Sequence, residues 1–299
     1  MEGTDRTFVE PFVTLSFVAG VTSSIGLGFA TLIPYRHPVH MAYSIASLSW
    51  ITRRSIDVGI GAGNFQHEFE VIGQGDLKRP ELMREHALIA RRLWTEDGVG
   101  YRGDAYAFDD VDLKPKPRSV LPIWWGGATP ASVRLAVDFC DGWLPGRITF
   151  PTYEARITKI RELTGAQDKP MIMTGAVPVT SIGTTTAEAL DRLNVPGLLQ
   201  NANGQRFWIR PPSGEFSRAE ELEGSILAGS PDDVVRDVLR YQAIGCDLLI
   251  FDLRMRFDDW LAQITVLAEE VLPRVRKDTA KPGSGAATPS TPASPSSTS

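Results

Sequence analysis

The sequence predicts an α/β protein built as a single (β/α) barrel, and three observations lead there. Short apolar, β-branched strands alternate with amphipathic helices, the pattern of a parallel sheet with right-handed crossovers. No linker-like break interrupts roughly the first 270 residues, so one large domain fits better than two nucleotide-binding halves. Two of the strands end in glycine clusters, at the end of the strand where barrels of this type bind ligands.

The elements follow in order. Residues 12–22 read as a helix with Phe12, Leu15, Val18 and Ala19 on one face. Residues 25–33 (IGLGFATLI) are a buried strand, 40–50 a helix and 55–62 the next strand. Residues 81–94 form an amphipathic helix, with Leu82, Ala87, Ile89, Ala90 and Leu93 at helical spacing. A strand at 122–125 (PIWW), a helix at 130–139 and a very short strand at 142–144 come next. The rest is a helix at 153–164, a strand at 170–179, a helix at 232–243, a strand at 247–253 (DLLIFDL) and a last helix at 260–272. Residues 195–229 mix Pro, Gly and Asn without a clear period and read as a long insertion. This gives six strands where a closed barrel needs eight, and because the chain opens on a helix, the shortfall is expected at the N-terminal side. Residues 278–299 are rich in Pro, Ser, Thr and Ala and have no aromatic residue, so they read as a disordered tail. Residues 1–277 are then the folded domain.

Composition narrows the function. The 299 residues are 42% hydrophobic and 22% charged, with a formal net charge of −5. No basic face is evident, which argues against nucleic acid or anionic membrane as partner. Cys140 and Cys246 are far apart with no CxxC, and no signal peptide or transmembrane run is present, which points to the cytoplasm. His37, His40, His67 and His86 share no metal-ligand spacing with either cysteine, so no metal is expected.

The first glycine cluster is SIDVGIGAGNF, with Gly59, Gly61 and Gly63 alternating. It is not a dinucleotide fingerprint: the third glycine comes one residue early, and no second strand ending in an acid follows about 20 residues later. An adenosylmethionine-binding methyltransferase fails for the same reason. The second cluster is GGATPAS, residues 126–132, between the PIWW strand and a helix. Thr129 stands at an N-cap position and Pro130 suits the first helical turn, so this helix start offers free N–H groups to an anion. Trp124 and Trp125 must face opposite sides of their strand. Asp141 and Trp143 read as fastening the sheet beside this second cluster, and the two cysteines as buried filler. His37, before Pro38, reads either as facing a ligand or as a packing residue at the helix start; His67 and Glu68 follow the first cluster and read either as an acid or base or as solvent-facing groups; no catalytic residue is assigned.

The run ATLIPYRHPVHMAYSIASLSWITRRSIDVGIGAGNFQHEFEVIG resembles the bacterial luciferase-like flavin and deazaflavin oxidoreductases. So do RRLWTEDGVGYRGDAYAFDDVDLKPKPRSVLPIWWGGATP, the DGW at 141–143 and SPDDVVRDVLRYQAIGCDLLIFDL. The resemblance extends over residues 12–274. It implies a (β/α)8 TIM barrel of the luciferase-like type whose first two strands are missing here. It also implies a flavin or deazaflavin at the barrel mouth: coenzyme F420 by the run of motifs, with FMN as the alternative. By the match, Gly126, Gly127, Ala128 and Thr129 hold the cofactor phosphate, and Gly61, Ala62, Gly63 and Asn64 lie along the cofactor. Phe29 and Ala30 match a strand bulge, often with a non-prolyl cis peptide, that backs the central ring. Ala62 stands where luciferases carry a phosphate-binding arginine, and Asn64 where some deazaflavin dehydrogenases carry a glutamate proton donor, a role an amide cannot fill. Thr52, Arg53, Arg54 and Ser55 replace the family's S-G-G-R turn. The substrate is expected to be a small organic molecule, and a homodimer is usual among relatives.

Overall fold

A computed structural model describes residues 9–63 and 65–279. Asn64 and the greater part of the 278–299 tail lie outside the described residues. Helix α1 (Pro11–Val21) leads into β1 (Leu27–Leu32), α2 (Pro38–Thr52) and β2 (Ile56–Ile60). Then follow α3 (Gln66–Val71), α4 (Arg79–Thr95), β3 (Val99–Arg102), β4 (Ala107–Val111) and β5 (Ile123–Gly126). Next come α5 (Pro130–Phe139), β6 (Gly142–Leu144), α6 (Phe150–Ala166), β7 (Met173–Ala176) and β8 (Val179–Ile182). The chain continues through α7 (Thr186–Asp191), α8 (Val195–Gly204), β9 (Ile226–Gly229), α9 (Pro231–Ile244) and β10 (Leu248–Leu249). It ends with α10 (Trp260–Val266), a π-helical turn (Leu267–Val271) and α11 (Leu272–Thr279).

All six strands expected from the sequence form one parallel sheet, in the order β1-β2-β5-β6-β7-β10. The sheet curls, and its helix-facing side is the core: Ile56, Val58, Ile123, Trp125 and Trp143 pack there with the helices. Among the described residues β1 and β10 are its two ends. No described helix is long and apolar enough to cross a membrane.

Several elements differ from the sequence reading. The strand expected at 170–179 is two: it stops at Ala176, and β8 begins after Val177 and Pro178 to pair with β9. Proline has no N–H to extend the β7 ladder. The carbonyl of Pro178 instead accepts from Asp252 N at 3.0 Å, which ties β8 to the end of the last strand. Segment 195–229, read as a long insertion, carries more regular structure than its composition suggests. It contains α8, capped by Asn194 accepting from Gly197 N, and the strand β9. The hairpin β3–β4 was hidden because β4 is mostly exposed and carries two aspartates. Its turn is held by Glu85, a fully buried carboxylate on α4 that accepts from Asp104 N at 2.8 Å, Ala105 N at 3.2 Å and Tyr106 N at 3.1 Å.

The altered turn after α2 has a structural explanation. Arg54 donates to the carbonyls of Ala19, Thr22 and Ile25 and to Thr22 Oγ1, so it caps the open end of α1 and fastens it to the α2–β2 turn. Arg53 sits at the helix C-cap with φ +58°, the left-handed conformation glycine adopts most easily. Its side chain is exposed. Replacing it with glycine, Arg53→Gly, should therefore stabilise the protein by about 1 kcal/mol. Differential scanning calorimetry should show a rise in Tm of about 2–4 °C.

Candidate active site at the sheet's C-terminal edge

The predicted β1 bulge is present. The β1–β2 register shifts between Phe29 and Leu32, and the Ala30–Thr31 peptide is cis. The phenyl ring of Phe29 faces outward and packs on Phe12, with ring centroids 4.9 Å apart. Phe29 thus reaches the inner side of the sheet only through its backbone. The side chain that lies across the inner face is Thr31, which the sequence reading did not single out.

Thr31 explains most of the glycine run. A Cβ on Gly61 would lie 2.3 Å from Thr31 Oγ1. One on Gly59 would meet Thr31 Cγ2 at 3.1 Å and the Phe29 carbonyl oxygen at 2.3 Å. One on Gly126 would meet the Ile60 carbonyl oxygen at 2.8 Å and Thr31 Cγ2 at 3.4 Å. Three glycines from two strands therefore make the trough that seats one threonine. Gly63, at φ +68°, turns under Ile33 and Phe69, and its carbonyl accepts from Arg79 Nη1 at 3.0 Å. Ala62 is half-buried against the core. The cluster thus first serves close packing between β1, β2 and β5.

Below Thr31, Trp124 fills the inner side of the sheet. Its ring lies over Gly142, where a Cβ would come within 2.4 Å of it, and its Nε1 donates to Asp57 Oδ1 at 2.8 Å. Trp125 packs on the opposite, helix-facing side, as strand alternation requires.

The second cluster follows β5. Gly127 has φ +126°, and a Cβ there would strike Ser132 Oγ at 2.6 Å, so only glycine fits. Thr129 is the N-cap of α5: its Oγ1 accepts from Ser132 N at 3.0 Å and donates to Ser132 Oγ at 3.1 Å. The Thr129 hydroxyl therefore closes the cap rather than facing outward. What remains open is backbone: among the described residues, the N–H groups of Gly127, Ala128, Thr129 and Ala131 donate to nothing. Trp143 Nε1 donates to the Gly127 carbonyl at 2.8 Å. Asp141 accepts from Ile123 N at 2.9 Å and takes a two-point ion pair from Arg91. Both residues fasten the sheet beside the loop, as expected.

The other titratable side chains near the strand ends are occupied or exposed. Tyr35 donates to Glu68; burial and that acceptor push the tyrosine up to about 12. His67 is largely exposed and pairs with Glu70 at 3.7 Å. His37 caps α2 by accepting from Val39 N and packs edge-on against Tyr106, and burial lowers its pKa. The described residues hold no group of His, Cys, Asp and Glu able to bind a metal.

Ala30, Thr31, Gly61 and Gly126 meet on neighbouring strands, with an anion-ready helix start at their C-terminal end. That arrangement defines a parallel α/β protein of the barrel type, with its glycine-lined strand ends on one edge of the sheet. Residues 2–248 match the family model of the luciferase-like monooxygenases, and the chain belongs to that family, an oxidoreductase of the luciferase-like type. It is 24% identical over 264 residues to an FMNH(2)-dependent dimethylsulfone monooxygenase of Pseudomonas fluorescens, covering 82% of this chain and 71% of that protein. It is 25% identical over 291 residues to an F420-dependent glucose-6-phosphate dehydrogenase of Amycolatopsis mediterranei, covering 87% and 82%. A solved F420-dependent secondary alcohol dehydrogenase shares the fold, with a TM-score of 0.74 at 17% identity over 90% of this chain and 84% of that one.

The trough makes a specific demand. Gly61→Ala should destabilise the protein by about 1–3 kcal/mol through overpacking against Thr31. Adding Thr31→Ala should recover most of that loss. Gly59→Ala should not be rescued in the same way, because its Cβ meets the Phe29 backbone. Urea denaturation of the single and double variants measures the coupling.

Proposed function

We propose that the protein transfers hydride between coenzyme F420 and a small organic substrate. The observation that carries this reading is the row of undonated N–H groups at the start of α5, beside the glycine trough. Gly127, Ala128 and Thr129 would hold the cofactor phosphate through their backbone, and Gly126 leaves the approach open. Ala30, Gly61, Ala62, Gly63 and Asn64 would lie along the cofactor, with the Phe29 backbone behind it. Bound there, a deazaflavin supplies hydride transfer, whereas a reduced flavin supplies oxygen activation. The run of motifs and the F420-dependent relative, matched over 82% of its length, support the deazaflavin. FMN-dependent monooxygenation is the second reading, favoured by the FMNH(2)-dependent relative. The chain's part in either reaction is to bind, orient and exclude water. Its domain spans residues 1–277 and works in the cytoplasm.

Fluorescence titration of the full chain with F420 and, separately, FMN tests this reading. Saturable micromolar binding of F420 in preference to FMN is expected. The reverse preference would select the monooxygenase, and a folded chain that binds neither would overturn the enzyme assignment.

The reading includes a homodimer. Helices α1 and α2 contain no Asp, Glu, Lys or Arg, although charged residues make up 22% of the chain. Val13, Phe17 and Val21 on α1 are each at least 64% exposed, beside an open groove of about 940 Å3 between the two helices. Helix faces without acidic side chains, beside a groove whose one charged lining residue is Arg54, suit a second copy of a net acidic chain because they bring no carboxylates together. Light scattering should report a dimer for the wild type and a monomer for Phe17→Glu.

A further inference from the structure

Arg156 on α6 is only 8% exposed, yet among the described residues no carboxylate lies within ion-pair distance of it. Its Nε donates to the Ala128 carbonyl at 2.9 Å and its Nη2 to the Phe207 carbonyl at 2.6 Å, and Nη1 makes no bond within the described chain. Burial lowers its pKa, and no neighbouring acid contributes to the shift. An arginine stays protonated in this setting, so a nearly buried side chain carries a positive charge with no carboxylate beside it, its Nη1 edge reaching solvent. Buried ions are normally paired.

The position of that charge is informative. The Ala128–Thr129 peptide is trans, so its carbonyl and the Thr129 N–H point in opposite directions. With the carbonyl turned to Arg156, the Thr129 N–H must point away from it, out of the loop. Trp143 does the same one residue earlier: it takes the Gly127 carbonyl and so turns the Ala128 N–H outward. Both N–H groups are among those that donate to nothing within the described chain. The charge on Arg156 also polarises the peptide it holds, which makes the outward N–H a stronger donor to an anion.

We infer that Arg156 is the positioning residue of an anion site at the start of α5, supplying from behind the loop the positive charge that a ligand phosphate neutralises. This rests on the phosphate placement proposed above and deepens it: the chain needs no cation at Ala62 because the charge lies on the other side of the loop.

The test compares ligands with and without phosphate. Arg156→Gln, with folding checked by circular dichroism, should weaken FMN and F420 by about ten- to a hundred-fold. Riboflavin and the phosphate-free deazaflavin chromophore should change less than two-fold. Arg156→Lys keeps the charge and should recover part of the loss. Equal losses for both ligand types would make Arg156 merely structural and overturn the inference, as would no loss at all. A second measurement does not depend on cofactor binding. Inorganic phosphate should raise the Tm of the wild type and not that of Arg156→Gln. If neither cofactor binds but phosphate still protects only the wild type, the anion site stands and the cofactor reading falls. Phosphate protecting both proteins, or neither, overturns the inference. Should the Gln variant fail to fold, the Lys variant with the same phosphate shift decides: protection at or near the wild-type level supports the inference, and none removes it.

Discussion

Close approach of β1, β2 and β5 is the constraint on which the rest of the structure depends. A parallel sheet must bury its outer face under helices, and here Ile56, Val58, Ile60, Ile123 and Trp125 do so. The inner face has to do the opposite and stay thin. Glycine at 59, 61 and 126 lets one side chain, Thr31, lie across three strands, and glycine at 142 lets Trp124 lie flat beneath it. The strand ends can then carry a turn at Gly127 that no other residue would permit. Packing on one side of the sheet and space on the other are thus one requirement seen from two faces.

The loop at the start of α5 shows how that scaffold becomes chemistry. Its conformation is imposed from behind by groups on the two elements that follow it, Trp143 on β6 and Arg156 on α6. Asp141, at the head of β6, is itself held by Arg91 from α4 and by the backbone of Ile123. Four elements, α4, β5, β6 and α6, therefore fix the orientation of a few peptide groups. A site preorganised in this way loses little conformational entropy when a ligand arrives.

Much of this was legible in the sequence. Each of the six sheet strands was readable because a parallel strand is a short apolar run with a definite end. The bulge at Phe29 and Ala30 was readable only through the family resemblance, since nothing in the local pattern of FATLI marks it. Thr31 escaped because an isolated threonine in a strand looks like ordinary β-propensity; its meaning depends on glycines thirty and ninety-five positions away. The glycines themselves were misleading: the same absence of side chain serves ligand approach and strand packing alike. Arg156 escaped for a related reason. On an amphipathic helix an arginine reads as solvated surface, and only the fold reveals that it is buried without an acid beside it. The hairpin β3–β4 and helix α8 were lost to aspartate, asparagine and glycine, whose local preferences oppose the elements that tertiary contacts impose.

The pairing of β10 with β7 has a kinetic meaning. Gly175 joins Leu248, so β8, β9 and three helices lie within the loop that this ladder closes. The other strand pairs of the sheet close shorter loops. Loop-closure entropy therefore weighs most on the final strand, and the ladder that must repay it is two residues long. During folding this edge should be the last part of the sheet to acquire protection from hydrogen exchange, and in the native state the first to lose it.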